Sequence, residues 1–353
     1  MKIINSIRAT LTNAGSVAGY FGLVMAGLLP VRQAAGQQVA AFEVISRQPL
    51  TGNKSGRVAL SGDANGASIV GENRQGKLFY RVEGNGVQGT VPALTHVEVA
   101  PNGSRIWVYG DSARRHVVDN VYASVYSSTG SLIKTVGKLG NQPYASAIAN
   151  NGSLVFAGNP RRDGDRLIME LALYDGNGNG QWRVSLPEGR VSQVFVSADC
   201  KYIAAVHFNN QTYVSSTLVY DGGGRLLQTL PHNADGVDFL SSGKLILSDG
   251  RGWFLYDLRN NFRLLHRGTL PDNALGKFPV TAHPSRDIFY VLSADAAAKG
   301  VRLQAYDGQT GRLLAQGSFR GKDSWQPYRQ VALAREGSIR LMTGEEVITL
   351  GMK

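Results

Sequence analysis

The sequence predicts an all-β protein: a seven-bladed β-propeller with four-stranded blades, its ring closed by the N-terminal strand pairing with the C-terminal unit. Three observations carry this. One short phrase, a strand ending in Tyr followed by a polar turn, occurs five times. The copies are Val125-Tyr126-Ser127-Ser128-Thr129-Gly130, Leu173-Tyr174-Asp175-Gly176-Asn177-Gly178, Val219-Tyr220-Asp221-Gly222-Gly223, Leu255-Tyr256-Asp257-Leu258-Arg259-Asn260 and Ala305-Tyr306-Asp307-Gly308-Gln309-Thr310-Gly311. The tyrosines lie 36 to 50 residues apart, a period that marks a repeat architecture of short strands. Before each Tyr strand comes a continuous apolar run, as expected of a strand covered on both faces.

From the N-terminus, residues 1–36 differ from the rest. Lys2 and Arg8 precede an uncharged stretch from Ser16 to Val31, and Ala34-Ala35-Gly36 offers small residues where a signal peptidase cuts. The expectation is a secretory signal peptide. An uncleaved membrane anchor is the alternative, although the apolar stretch is short against the roughly 20 residues of a bilayer span. Residues 37–353 are expected to form the single propeller, in the periplasm or secreted, or held at the membrane if the anchor stays. Ala41-Phe42-Glu43-Val44-Ile45-Ser46 is a strand with no repeat of its own.

The first repeat contributes Val58-Ala59-Leu60, Ser68-Ile69-Val70, Leu78-Phe79-Tyr80 and Gly89-Thr90-Val91. The second strands of the next five are Ile106-Trp107-Val108-Tyr109, Leu154-Val155-Phe156-Ala157, Ile203-Ala204-Ala205-Val206, Leu245-Ile246-Leu247 and Ile288-Phe289-Tyr290-Val291-Leu292. The turns before them, such as Asn150-Asn151-Gly152-Ser153 and Ser241-Ser242-Gly243-Lys244, suit hairpins that need positive φ. The last unit has Val331-Ala332-Leu333, Ile339-Arg340-Leu341-Met342 and Val347-Ile348-Thr349-Leu350 but no fourth strand. The orphan strand at 41–46 supplies it, which removes two open edges at once.

These repeats resemble bacterial secreted propellers of the WD40-like and YVTN type. Tyr-Asp stands where those repeats carry Trp-Asp, and the Gly-His pair is missing. The resemblance implies the fold and little about function, since propellers host many activities. Only Asp175 to Trp182 approaches the docking segment of quinoprotein blades, so a quinone cofactor is not expected.

Asp175-Gly176-Asn177-Gly178-Asn179-Gly180 fits the first half of a calcium loop, with Asp175, Asn177 and Asn179 as oxygen donors. Leu186 occupies the twelfth position where such loops need an acid, and the segment equally reads as a Gly/Asn turn. The six histidines form no metal or catalytic spacing, and no His–acid pair is visible. A single cysteine, Cys200, excludes intrachain disulfides and cysteine-cluster metal sites.

The formal charge is +11, of which Lys2, Arg8 and Arg32 in the first 36 residues supply three. Loops after the second strands share one end of a propeller with the connections between blades. Here they hold Arg114, Arg115, Arg161, Arg162, Arg166 and Arg251, and the connections add Trp325 and Tyr328. Arginine with aromatics suits an acidic partner surface, as well as an ordinary solvated rim. The expected function is a non-catalytic binding or scaffold propeller, an accessory subunit of an envelope or membrane-associated complex. Its partner is an acidic protein or other polyanionic surface, possible membrane-complex subunits included, and nucleic acid is not expected of an exported chain. The alternatives are lactonase- or lyase-like hydrolysis in the central channel, and binding of a glycan or small ligand.

Overall fold

The structure, a computed structural model, describes residues 39–49, 57–60, 68–74, 77–81, 88–92, 96–100, 104–111, 121–163, 166–270, 280–295, 300–320, 330–333, 338–342 and 346–352. The chain divides into two units, Met1–Pro30 and Val31–Lys353, and the first lies outside the described residues. Every regular element described is a strand. Among the described residues no helix is long and apolar enough to cross a membrane.

Strand β1 is Ala40–Pro49. The first meander is β2 (Arg57–Leu60), β3 (Ser68–Arg74), β4 (Lys77–Arg81) and β5 (Gln88–Pro92). Next come β6 (His96–Val99), β7 (Arg105–Asp111), β8 (Val121–Ser127) and β9 (Leu132–Ile148). Then follow β10 (Leu154–Asp163), β11 (Arg166–Tyr174) and β12 (Gly180–Ser185). The fourth meander is β13 (Arg190–Val196), β14 (Tyr202–Phe208), β15 (Ser215–Asp221) and β16 (Leu226–Leu230). The fifth is β17 (Gly236–Leu240), β18 (Lys244–Ser248), β19 (Gly252–Asp257) and β20 (Arg263–Thr269). The sixth is β21 (Val280–Ala282), β22 (Ile288–Asp295), β23 (Gly300–Asp307) and β24 (Leu313–Arg320). The chain ends with β25 (Gln330–Leu333), β26 (Ile339–Met342) and β27 (Glu346–Met352).

Three of the sheets are simple four-stranded antiparallel meanders. The seven-stranded sheet arises because β9 serves two units, pairing with β8 up to Gly140 and with β10 from Asn141 onward. The strand runs on through Gly137 (φ +84°), and register shifts along β8 absorb the bend.

The N-terminal strand completes the last unit. β1 pairs antiparallel with β27, from Phe42 opposite Met352 to Pro49 opposite Glu346. Its first residues also pair in parallel with β24, Ala40 opposite Ala315. That second contact, which the sequence did not suggest, joins the sixth and last units into one eight-stranded sheet.

The core lies between units. Leu154 and Phe156 pack with Trp107 and Val125 of the unit before, whereas Val155 and Ala157 pack with Ile203 and Ala205 of the unit after. The split repeats downstream: Ala204 and Val206 join Leu245 and Leu247, and Ile246 joins Phe289 and Val291. Tyr290 and Leu292 then join Phe42, Leu341 and Ile348. A period-2 strand buried on both faces serves two interfaces at once.

Hydrogen bonds repeat with the same period. Trp107 Nε1–H donates to Gly152 O at 2.8 Å, and Trp182 Nε1–H to Gly222 O at 2.8 Å. On the first strands, Glu98 Oε1 accepts Ser146 Oγ–H at 2.8 Å. Asp238 Oδ2 accepts Ala282 N–H at 2.7 Å and Thr281 Oγ1–H at 3.1 Å. Burial pushes the Asp238 carboxyl above the ordinary Asp range despite these donors. The first strands succeed one another as neighbours: β2 beside β6, β6 beside β9, β9 beside β13, β13 beside β17, β17 beside β21, β21 beside β25, and β25 beside β2.

Deleting residues 37–48 removes β1 and Phe42 from the last interface. The melting temperature should fall by roughly 10 °C or more, while deletion of 1–36 leaves it unchanged. Phe42→Ala alone should cost about 3 kcal/mol by denaturant titration. An unaltered melt for the longer deletion would show that β1 is dispensable.

Candidate interaction face

In each meander the loop after the second strand and the connection to the next unit lie at one end, here the first face. The turns between first and second and between third and fourth strands form the second face.

On the first face, Arg161, Arg162 and Arg166 were expected in a loop. They belong to the β10–β11 ladder, with Arg161 opposite Ile168, Arg162 opposite Leu167 and Asp163 opposite Arg166. The hairpin is therefore longer than the apolar run alone implied, because the ladder resumes beyond an irregularity at Gly158/Arg161. Arg251 is exposed in the turn between β18 and β19, its N–H donating to Asp249 Oδ1 at 3.2 Å. Arg114, Arg115, Trp325 and Tyr328 lie outside the described residues, so the expected pairing of two Arg pairs on adjacent loops falls there too.

Between these elements, the loop joining β14 to β15 presents two side chains the sequence reading missed. Tyr213 is 79% exposed and Val214 57%. Tyr213 has φ +56°, an uncommon conformation for a bulky residue. The loop is held by its own bonds. Tyr213 N–H donates to Asn209 O at 2.9 Å, and Asn209 N–H to Val214 O at 3.0 Å. Asn209 Oδ1 accepts the N–H groups of Gln211 and Thr212, and Gln211 Nε2 donates to Glu188 Oε2 at 2.7 Å. Beneath it Phe208 meets the Tyr213 ring edge-on, and the Arg190 guanidinium stacks 5.0 Å from the Phe208 ring centre. An Asn-Gln-Thr-Tyr loop carries no local signal that its Tyr faces water.

A His–acid pair exists, contrary to the sequence reading. His232 Nδ1 lies 2.9 Å from Asp249 Oδ2, and its Nε2 lies 2.6 Å from the Tyr256 hydroxyl. His232, in a connection, and Asp249, in the loop after a second strand, fall on the first-face side, and that rule could have paired them; Tyr256 joins them from β19. Both ring nitrogens are occupied, the ring sits against Phe254, and Thr217 Oγ1–H donates to His232 O at 2.9 Å. The triad fastens a connection to the unit it enters. His207 does the same one unit earlier, its Nε2–H donating to Pro187 O at 3.1 Å.

On the second face, the repeated Tyr-Asp step has a plain cause. Each Asp caps the turn that follows, as Asx residues do. Asp221 Oδ1 accepts the N–H groups of Gly223 and Arg225, and Asp307 Oδ1 those of Gln309 and Thr310. Ser127 Oγ takes this part in the copy that lacks Asp.

The candidate calcium loop is one of these turns. Asp175 Oδ1 accepts Asn177 and Asn179 N–H, both at 2.9 Å, and Oδ2 accepts the side-chain amides of Asn179 and Gln181. Asn179 Oδ1 in turn accepts Lys134 Nζ–H at 2.7 Å. The Asp175 carboxylate and Asn179 Oδ1 are thus directed at N–H donors. Among the described residues no three His, Cys, Asp or Glu side chains group as metal ligands.

The second face also carries an open cleft of about 470 Å³, which the sequence did not reveal. It is lined by Cys200, Lys201, Tyr202, Asp221, Gly222, Arg225, Leu227, Leu258 and Phe262.

No family model and no curated protein matches this chain. Among solved structures, a chain of the mitotic checkpoint complex is similar with a TM-score of 0.62 and 10% identity, over 98% of this chain and 98% of that one. A structure of the eukaryotic initiation factor gives a TM-score of 0.50 and 12% identity over 74% of this chain. The match spans 65% of that protein's length. At such identities the likeness shows the fold alone: an all-β architecture of the propeller kind.

The capping carboxylates set a pH dependence. Burial raises Asp307 and Asp175, but donated hydrogen bonds outweigh it and hold both below the ordinary range; for Asp221 the Arg225 N–H is the leading cause. A depressed folded-state pKa gives stability that is present above the unfolded value near 3.9 and lost as pH falls through the folded value. Melting temperature should therefore decline below about pH 4, and less steeply in Asp307→Asn. At neutral pH Asp307→Ala should cost about 1 kcal/mol.

Calcium at millimolar concentration should leave the melting curve of the wild type in place. A saturable upward shift, abolished by Asp175→Asn, would support the metal reading.

Proposed function

We propose that this chain is a non-catalytic interaction scaffold, a seven-bladed ring whose first face docks an acidic protein surface. The observation that carries this reading is the Tyr213–Val214 pair. It is an exposed aromatic and aliphatic knob on a self-braced loop, between the unit bearing Arg161, Arg162 and Arg166 and the unit bearing Arg251. Rigid exposed aromatics with arginine nearby are the usual anchors of protein interfaces. The succession of neighbouring first strands, ending with β25 beside β2, supports the closed ring.

Two further features favour binding over catalysis. The carboxylates of the described first strands, Glu98 and Asp238, accept hydrogen bonds from the next unit. His232 commits both ring nitrogens to Asp249 and Tyr256. The basic start, short apolar stretch and Ala-Ala-Gly segment of residues 1–36 favour an exported protein, periplasmic or secreted, serving in an envelope complex.

Two variants test the reading by co-purification from the source membrane fraction. Tyr213→Ala with Val214→Ser should reduce partner recovery roughly tenfold or more. Changing Arg114, Arg115, Arg161 and Arg162 to Glu should abolish it, with circular dichroism and melting nearly unchanged in both. Recovery should also weaken as salt rises, since screening shortens the reach of charge to about 8 Å at physiological strength. Full recovery by both folded variants would refute the first face as the docking surface.

A further inference from the structure

The cleft on the second face lies beside a turn that differs from two of its siblings. In sibling turns the left-handed position is glycine: Gly152 at φ +81° and Gly243 at φ +80°. A Cβ at Gly152 would meet the Arg105 side chain at 2.2 Å, and one at Gly243 would meet Arg259 at 2.5 Å. Arg105 comes from the unit before its turn and Arg259 from the same unit as its turn. The fourth unit carries Cys200 at this position, with φ +60°. Ser153 stands where Arg105 stands one unit earlier, since each gives its carbonyl to the same turn-closing bond, from Ala149 N–H and Ala100 N–H respectively. The small Ser153 only hydrogen-bonds the thiol. The cleft itself is lined by residues of the fourth and fifth units, Cys200 among them.

Its walls have a definite chemistry. Tyr202, Leu227, Leu258 and Phe262 supply an apolar lining, with Tyr202 stacked on Phe239 at 14° between ring planes. Phe262 is held at φ +54° and Asn261 at φ +49°, so with Cys200 this region holds three of the four non-glycine residues at positive φ among those described. Backbone strain of this kind clusters at functional sites.

Two exposed cations stand at the mouth, each paired with a carboxylate. Lys201 and Arg225 are 74% and 80% exposed, anchored by Asp199 and Asp221 at 2.7 and 3.1 Å. Arg225 binds Asp221 through Nε, and Asp221, the lining carboxylate, also accepts two backbone N–H groups. Trp182 braces the turn from behind, its Nε1–H on Gly222 O and its ring against Gly224. The volume falls within the ~300–1,000 Å³ of small-ligand sites.

We propose that this cleft binds a small organic anion with a flat apolar body, an aromatic carboxylate being the simplest member. The body lies on Tyr202, Leu227, Leu258 and Phe262, and the carboxylate meets Arg225 and Lys201 at the mouth. This site is independent of the first face.

Cys200, the only cysteine in the chain, is a built-in reporter. Burial raises its thiol above the usual range, so alkylation by N-ethylmaleimide is followed at pH 8.5–9 in the full chain. With 1-naphthoate present at ten times its dissociation constant, alkylation should slow about tenfold. Acetate should not protect, and 1-naphthalenemethanol should protect less. Arg225→Gln should remove the advantage of naphthoate over the alcohol, and Leu227→Asn should weaken both. Tyr213→Ala should change nothing here, which separates this site from the interaction face. Saturation-transfer NMR of naphthoate gives a second readout that needs no thiol reactivity. Unprotected alkylation together with no saturation transfer at millimolar naphthoate would overturn the proposal.

Discussion

The structure depends on how each second strand divides its side chains. Successive residues of a β-strand point to opposite faces, so Leu154 and Phe156 go one way and Val155 and Ala157 the other. Each set completes a core with a different neighbour. No described unit encloses a core of its own, and each buried cluster joins two units. The terminal units would then each leave an apolar face in water, a cost that favours joining the ends. The pairing of β1 with β27, with Phe42 set into the cluster of Leu341 and Ile348, ties the N-terminal strand to the last unit, and β25 lies beside β2.

The polar groups follow the same logic. Buried donors and acceptors must find partners, and here many are found one repeat away. Tryptophan indoles reach carbonyls of the next unit, and Asp238 holds the neighbouring first strand. The Tyr-Asp step links a buried ring to a turn cap: burial pushes the Tyr220 and Tyr256 hydroxyls up to about 12, while the Asp beside each faces the turn. Much of the chemistry-bearing inventory is thereby spent on architecture, His232 and Asp175 included.

What is left over differs between the two faces. The first face offers a protruding apolar pair with arginine-bearing hairpins on either side, which fits a complementary protein surface. The second offers a concave site between the turns of the fourth and fifth units. A convex knob and a concave cleft select partners of different size.

The sequence by itself determined the repeat, the second strands, the turn-capping Asp after each Tyr and the use of the orphan strand at 41–46. All of these are written in local patterns: period, apolar runs, and Asx–Gly turns. The tertiary structure alone decided that β9 runs through two units and that Arg161 and Arg162 sit in a ladder. It alone brought His232 to Asp249, set Tyr213 in water and opened the cleft at Cys200. The physical reason is that these features depend on what lies across an interface. Whether a left-handed position is roofed by Arg105 or only touched by Ser153 is a relation between two turns in different units, and no pattern within either turn records it.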